Sequence, residues 1–540
     1  MLKRLSPHLL LAAIFLILTL GQEYLFYILK GFPVVYFTPA KYAGLYFIFF
    51  VFTFIKNPKS RVACLSFFIF LCPWQLGHLS YFGTQVLPSQ IYQMIAQAGE
   101  VQGALREELS HFLIPLLFLI VPMGLGIWAV KKIETTFKFK FLGILFSLYL
   151  IYNPVRTAVT GNTWGRQPST RELAGMNIYL SMSYLFGKIL PHKWSQSSQT
   201  DTKNQSLALV LKKSKIPEWD HVVVILGESL TPHHMSLYGY PKPTTPFLDA
   251  KKNDPRFFHT IALSSGVSTD ISVAFFMNLG YGPTGVMKAQ KGQHCLFKLA
   301  KEQGYKTHFL SIQSTEQLRY ITPFLCSSSM DDSRSMEQLS PDEPDHQAAS
   351  DRTLLPHLNK IFEESGPHFI MLHQRGSHAP WNLRSSQESR IFKASAKLER
   401  RVADYDHSVI EFDSFYKELD KIIGAVKGKI LLLYISDHGE SLGENGKWGH
   451  GQLIPRAFEV PLMITTYNRD LPPATRNLPP FLTQYNASLY LVQQLGYESN
   501  QPPEKYPDDF EIFGNDIDGF AGKVKITYPE NGRYEMQLKL

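Results

Sequence analysis

Cysteine is scarce in this chain. Only 4 occur in 540 residues, and no two stand as CxxC. That excludes a cysteine-rich zinc module and a dithiol redox motif. Cys64 and Cys72 sit in apolar sequence and are expected to stay reduced. Cys295 and Cys326 can pair once, if their part of the chain is extracytoplasmic. The chain also lacks a dense basic stretch. Its net charge is +8, but Lys3, Arg4, Lys56, Lys59, Arg61, Lys131 and Lys132 lie beside apolar segments. This spread speaks against a nucleic-acid partner and for membrane flanks. No small-x-small cleavage site follows the first apolar stretch, so it reads as an anchor rather than a removable signal peptide.

What is present is a strong apolar bias in the first part. Apolar stretches cover about Leu9–Leu29, Tyr42–Ile55, Val62–Gly77, Phe112–Val130 and Phe141–Tyr152. We expect about five spanning helices in residues 1–153, although some runs fall short of the ~20 residues a span needs. Basic residues at the N-terminus, at Lys56–Arg61 and at Lys131–Lys140 place those ends in the cytoplasm. An odd number of spans then puts the remainder outside it. Residues 154–216 read as interfacial helices, or equally as an ordinary surface helix of the soluble domain, with Met176, Ile178, Tyr179 and Met182 at near-helical spacing, followed by the polar linker Ser195–Ser206. Residues 217–540 alternate short apolar runs with helical stretches, as an α/β domain with a mostly parallel sheet does.

Chemistry gathers at the ends of three apolar runs. His221–Leu226 leads into Gly227-Glu228-Ser229, Phe369–Leu372 into His373-Gln374-Arg375-Gly376-Ser377-His378, and Ile430–Ile435 into SDHGESLGENGKWGHG, Ser436–Gly451. Acids and histidines at the carboxyl ends of separate parallel strands can converge on one crevice. Carboxylates and imidazoles suit zinc, and argue mildly against magnesium; manganese stays open. The hydroxyl-rich Ala262–Asn278 offers Ser268, Thr269 and Ser272 as nucleophiles at a helix start, or simply as helix caps. His373 points from the same strand end as His378 and reads equally as part of the site or as a satisfied core histidine. His233 and His234 read as structural or as supports of the ligands, and Glu440 and Glu444 as residues that cap, position or solubilise the loop.

Together these motifs resemble the phosphoethanolamine transferases of Gram-negative envelopes, members of the alkaline phosphatase and sulfatase superfamily that include lipid A modifying enzymes of polymyxin resistance. The motifs are GES with SLYGYPKPTTPFL, SGVSTDISV, RGSHAPW, YDHSVIEFD and the SDHGESLGENGKWGHG loop. The resemblance implies a helical membrane domain joined to a sulfatase-like α/β domain in the periplasm, in a multi-pass protein of the bacterial inner membrane. It makes Thr269 the nucleophile that carries phosphoethanolamine covalently. It makes Glu228, Asp437 and His438 the zinc ligands, with the Thr269 oxygen completing the shell. His378 and His450 match histidines near the transferring group, where a second metal can also sit. An asparagine that helps hold ethanolamine in the family is replaced near His294.

The implied donor is phosphatidylethanolamine, and the implied acceptor an envelope glycolipid or glycan, with the protein acting as a monomer. Rival readings within the superfamily are a hydrolase that passes the group to water and a glycerolphosphate transferase. A sulfatase would need a C/S-x-P-x-R context, which SGVSTDISV lacks. The polymyxin-resistance members have several disulfides in the soluble domain, whereas this chain can form at most one there.

Overall fold

The computed structural model describes residues 2–31, 38–55, 57–82, 85–96, 119–133, 148, 151–152, 154–159, 173–191 and 209–539, the last stretch without 283–284, 286–288, 290, 293, 320, 342–348, 509, 517–520 and 529–532. It comprises two compact units, Met1–Gln199 with Gly443–Trp448, and Thr200–Leu442 with Gly449–Leu540.

The first unit is helical. Among its described residues, Ser6–Lys30 and Pro58–Ser80 are long and apolar enough to cross a membrane, and Pro39–Phe52 is a shorter apolar helix. These correspond to the first three apolar stretches of the sequence. Only 119–130 of the fourth is described, as helix, and the fifth lies almost wholly outside the described residues. The Ala174–Tyr184 helix is buried within this unit on almost every side, including Asn177, Ser181 and Ser183. Its polar groups are answered inside the unit. Glu23 Oε2 accepts the Ala174 N–H at 2.8 Å, and Asn177 Nδ2 donates to Gln75 Oε1 at 3.2 Å and to the Val86 carbonyl at 3.1 Å. Paired in this way, buried polar side chains need not face water.

The second unit is built on an eight-stranded sheet. In chain order its strands are β1 His221–Gly227, β2 Phe257–Leu263, β3 Lys306–Ser311, β4 Asp332–Arg334, β5 His368–His373, β6 Ile430–Ser436, β7 Glu459–Tyr467 and β8 Leu482–Thr483. Their spatial order is β8-β2-β7-β6-β1-β5-β3-β4. Strands β6, β1, β5, β3 and β4 run parallel, and β7 is antiparallel to both its neighbours. The three apolar runs read from the sequence thus lie side by side as β5, β1 and β6, with every residue buried. Continuous apolar strands are what a sheet covered on both faces requires. Because the three are parallel and in register, their carboxyl ends finish at one edge.

Cys295 and Cys326 are joined by a disulfide. Cys295 belongs to the core packed against the sheet, with Leu296, Phe297 and Phe309.

Candidate active site

Glu228 follows β1, and Asp437 and His438 follow β6; the three are almost completely buried. One ligand atom from each lies within 4.8 Å of the other two. Thr269, the first residue of the Thr269–Met277 helix, completes the group. Its Oγ1 stands 3.2 Å from Glu228 Oε2 and 3.4 Å from His438 Nε2. The helix start gives this hydroxyl a positive dipole end, favourable for an anionic group placed there.

Backbone geometry sets the carboxylates. Ser229 takes a left-handed conformation, φ 57°, as the chain leaves β1. Its N–H donates to Asp437 Oδ1 at 3.0 Å, and Tyr405 Oη donates to its carbonyl at 2.8 Å. Gly376 also has positive φ, and a Cβ there would stand 2.5 Å from the Glu228 carbonyl oxygen. Only glycine lets the His378 loop run this close to Glu228. Gln313, just beyond β3, donates from Nε2 to Glu228 Oε2 at 3.0 Å. No motif marked Gln313 in the sequence. Its only signal is its place two residues beyond the end of a strand.

The electrostatics are those of a cation site. Burial pushes the Asp437 carboxyl up to about 7, helped by the Glu228 charge. Burial also opposes ionisation of Glu228, but the hydrogen bond and charge of His438 prevail and hold it well below the usual range. Burial alone would depress His438; the Asp437 and Glu228 carboxylates override it and raise the imidazole to about 10. Two buried acids thus depend on a neighbouring positive charge. Asp437 Oδ2 is buried with no hydrogen-bond partner. His438 Nδ1 donates to the Gly439 carbonyl at 3.0 Å, which turns Nε2 toward Glu228, where a metal ion would displace its proton. An orphaned carboxylate oxygen, a second carboxylate and an oriented imidazole fit a zinc ion.

The two further histidines come close. The His450 ring lies 4.3 Å from that of His438 and 5.9 Å from that of His378, centroid to centroid. Glu440 Oε2 accepts from His450 Nδ1 at 3.0 Å, so Glu440 orients this ring. His438, Glu440 and His450 form a second possible ligand group that shares His438 with the first. Burial lowers His378 to about 3, with Glu228 opposing and Arg375 adding to the effect. Arg375, Gly376 and Arg384, from the same loop, line a cavity of about 890 Å³ with Ser350, Asp351 and Arg352.

Other residues singled out in the sequence lie apart from this group. His294 sits half-buried in the turn before Cys295 and belongs to none of the possible ligand groups among the described residues. His373 pairs with Ser311 Oγ at 3.0 Å, His234 with Asp406 at 2.7 Å, and His233 with Glu459. Asp413 accepts the backbone N–H groups of Phe247 and Leu248 at 2.8 and 3.0 Å, a structural task at a helix start.

Residues 220–483 match the sulfatase family model. The chain is 26% identical over 395 residues to the phosphoethanolamine transferase EptA of Helicobacter pylori, covering 68% of either chain. It is 25% identical over 309 residues to the Kdo(2)-lipid A phosphoethanolamine 7''-transferase of Salmonella typhimurium, covering 53% of this chain but only 52% of that relative. In three dimensions it resembles the integral membrane lipooligosaccharide phosphoethanolamine transferase A from Neisseria meningitidis, with a TM-score of 0.63 at 16% identity over 91% of this chain and 95% of that one. At such identity the likeness is one of fold: a helical N-terminal part followed by an alkaline phosphatase-like domain.

Proposed function

We propose that this protein is a zinc-dependent phosphoethanolamine transferase of the bacterial inner membrane, with residues 1–153 as its multi-pass anchor, 154–216 as a connecting region, and 217–540 as its periplasmic catalytic domain. The observation that carries this reading is the approach of Thr269 Oγ1 to Glu228 and His438 at a helix start. The names of the relatives supply the group that is moved.

Glu228, Asp437 and His438 hold the zinc. When bound, the ion lowers the pKa of a nearby hydroxyl and offsets charge on phosphoryl oxygens. The chain's own residues do the rest. Thr269 Oγ1 forms a bond to the phosphorus of phosphatidylethanolamine as the bond from phosphorus to the glycerol oxygen breaks. The threonine proton passes to that oxygen, and diacylglycerol departs. In the second half-reaction a hydroxyl or phosphate oxygen of an envelope glycolipid attacks the phosphorus, the bond to Thr269 breaks, and a proton returns to its oxygen. His378 and His450 flank the transferring group and carry protons. The Glu440–His450 hydrogen bond fixes which nitrogen of His450 faces the site.

The test is mass spectrometry of lipid A and core oligosaccharide from cells with the protein, without it, and with Thr269→Ala. A phosphoethanolamine-sized gain in one fraction, absent in the other two strains, is expected. No gain in either fraction would sink the lipopolysaccharide version. Free phosphoethanolamine released from the lipid would point to hydrolysis instead.

A further inference from the structure

The opposite edge of the same sheet carries a second cluster of ligating side chains. His368 opens β5 and His308 lies on β3, while Glu364 stands in the approach to β5. One ligand atom from each of the three lies within 4.8 Å of the others. The two imidazoles are buried, and the Glu364 side chain is 48% exposed, so the cluster opens to solvent on the carboxylate side. Candidate ligands of the active site follow the far ends of β1 and β6, about 20 Å away at the ~3.3 Å rise of a strand.

His308 Nε2 and His368 Nδ1 face each other at 3.0 Å. The outer nitrogen of each ring faces an oxygen: His308 Nδ1 lies 3.7 Å from Asp332 Oδ2, and His368 Nε2 lies 3.3 Å from the Glu364 carbonyl. His368 Nε2 donates to that carbonyl, so its Nδ1 presents a lone pair toward His308. His308 Nδ1 makes no hydrogen bond at its distance from Asp332, and His308 either donates from Nε2 to His368 Nδ1 or, with its proton on Nδ1 toward Asp332, presents a second lone pair to an ion shared by the two rings. Two metal–nitrogen bonds of about 2.0–2.1 Å meeting near 90–110° span roughly 2.9–3.4 Å, and the observed gap falls inside that range. A carboxylate or carbonyl behind each ligating histidine is the usual arrangement around such ions. The ring of His221, first residue of β1, stacks on His368 with centroids 5.3 Å apart and walls the cluster on that side.

We propose that His308, His368 and Glu364 form a second transition-metal site, of zinc type, at the amino edge of the sheet, with Asp332 orienting His308. Lys306 contacts Glu364 at 3.4 Å, and its ammonium yields the carboxylate when metal enters. The site is independent of the proposed transfer reaction.

The full-length protein, stripped with chelator, is titrated with Zn²⁺ and with Co²⁺, both unaltered and with Glu228→Gln plus Asp437→Asn. The doubly substituted protein is expected to keep one equivalent of Zn²⁺ and to give the visible Co²⁺ band of a nitrogen-and-oxygen site. Adding Glu364→Gln, a change at an exposed side chain, is expected to weaken this binding at least tenfold. Asp332→Asn is expected to weaken it about 10–100-fold. In the otherwise unaltered protein, Glu364→Gln alone removes one equivalent. Binding that is indifferent to both Glu364→Gln and Asp332→Asn would overturn the proposal, as would stoichiometry unchanged by Glu364→Gln in the otherwise unaltered protein.

Discussion

Gln313 Nε2 donates a 3.0 Å hydrogen bond to Glu228 Oε2, so one oxygen of a candidate metal ligand is held by a side chain from a third strand end. Groups that orient a ligand in this way typically contribute 10–100-fold to metal affinity. Gln313→Ala is therefore expected to weaken Zn²⁺ binding at the Glu228 site about 10–100-fold. A competition titration against a chelator of known affinity checks this. Unchanged affinity would remove Gln313 from the site.

Thr269 separates holding metal from moving the phosphoryl group. Thr269→Ala leaves Glu228, Asp437 and His438 in place, so zinc content should persist while transfer falls to background. Thr269→Ser keeps the hydroxyl and should keep part of the activity. Metal analysis beside a transfer assay with labelled lipid reads both. An active Thr269→Ala protein would contradict the assignment.

The acid cluster makes the metal-free protein sensitive to alkali. Asp437 is raised to about 7 from an unfolded value near 3.9, so the folded state binds the extra proton between those values. Stability therefore falls as pH rises from about 4 through about 7. His438, raised to about 10, contributes stability that is complete below its unfolded value of about 6.5 and is lost as pH rises through about 10. Melting temperatures of chelator-stripped protein should fall across both windows. Saturating zinc should flatten the profile, and Asp437→Asn should abolish the lower window. A stripped protein whose stability climbs between pH 5 and 8 would contradict this picture.

Gly376 should not tolerate a side chain. At φ 53°, with the Glu228 carbonyl 2.5 Å from a Cβ position, Gly376→Ala combines a strained backbone with a clash. A loss of about 1–3 kcal/mol in urea unfolding is expected from the backbone strain, together with lost zinc affinity as Glu228 shifts. A neutral substitution would show that the loop can move away from Glu228 without cost.

The Cys295–Cys326 bond closes a loop with a sequence separation of 31. Chain-entropy reasoning gives roughly 3–4 kcal/mol for a loop of that size. Cys295→Ala with Cys326→Ser should lower stability by up to that amount, measured by urea unfolding under non-reducing conditions. Transfer activity at low temperature should survive, since neither cysteine touches the Thr269 group.

Much of the site could be read in the sequence because its residues sit at the ends of uninterrupted apolar strands. His221–Leu226, Phe369–Leu372 and Ile430–Ile435 have few alternatives to burial in a covered sheet, and Glu228, Asp437 and His438 follow them directly. Gln313 and Gly376 were not legible as partners of Glu228. One comes from a loop without a motif and the other acts through its missing Cβ, so both depend on which loops the sheet order brings together. The antiparallel direction of β7 is equally a matter of chain path. In the first unit, the burial of Asn177, Ser181 and Ser183 was not legible in the sequence. Partners distant in sequence, such as Gln75 and Val86, allow their helix to be buried.

The most direct test of the central claim is to look for the transferred group on the proposed nucleophile. Full-length protein is incubated with phosphatidylethanolamine labelled in its ethanolamine, quenched with acid, digested and sequenced by tandem mass spectrometry. A labelled phosphoethanolamine group on Thr269, lost when acceptor lipid is added and absent after chelation of zinc, is the predicted result. Label on another residue, or none on Thr269 while transfer proceeds, would contradict it.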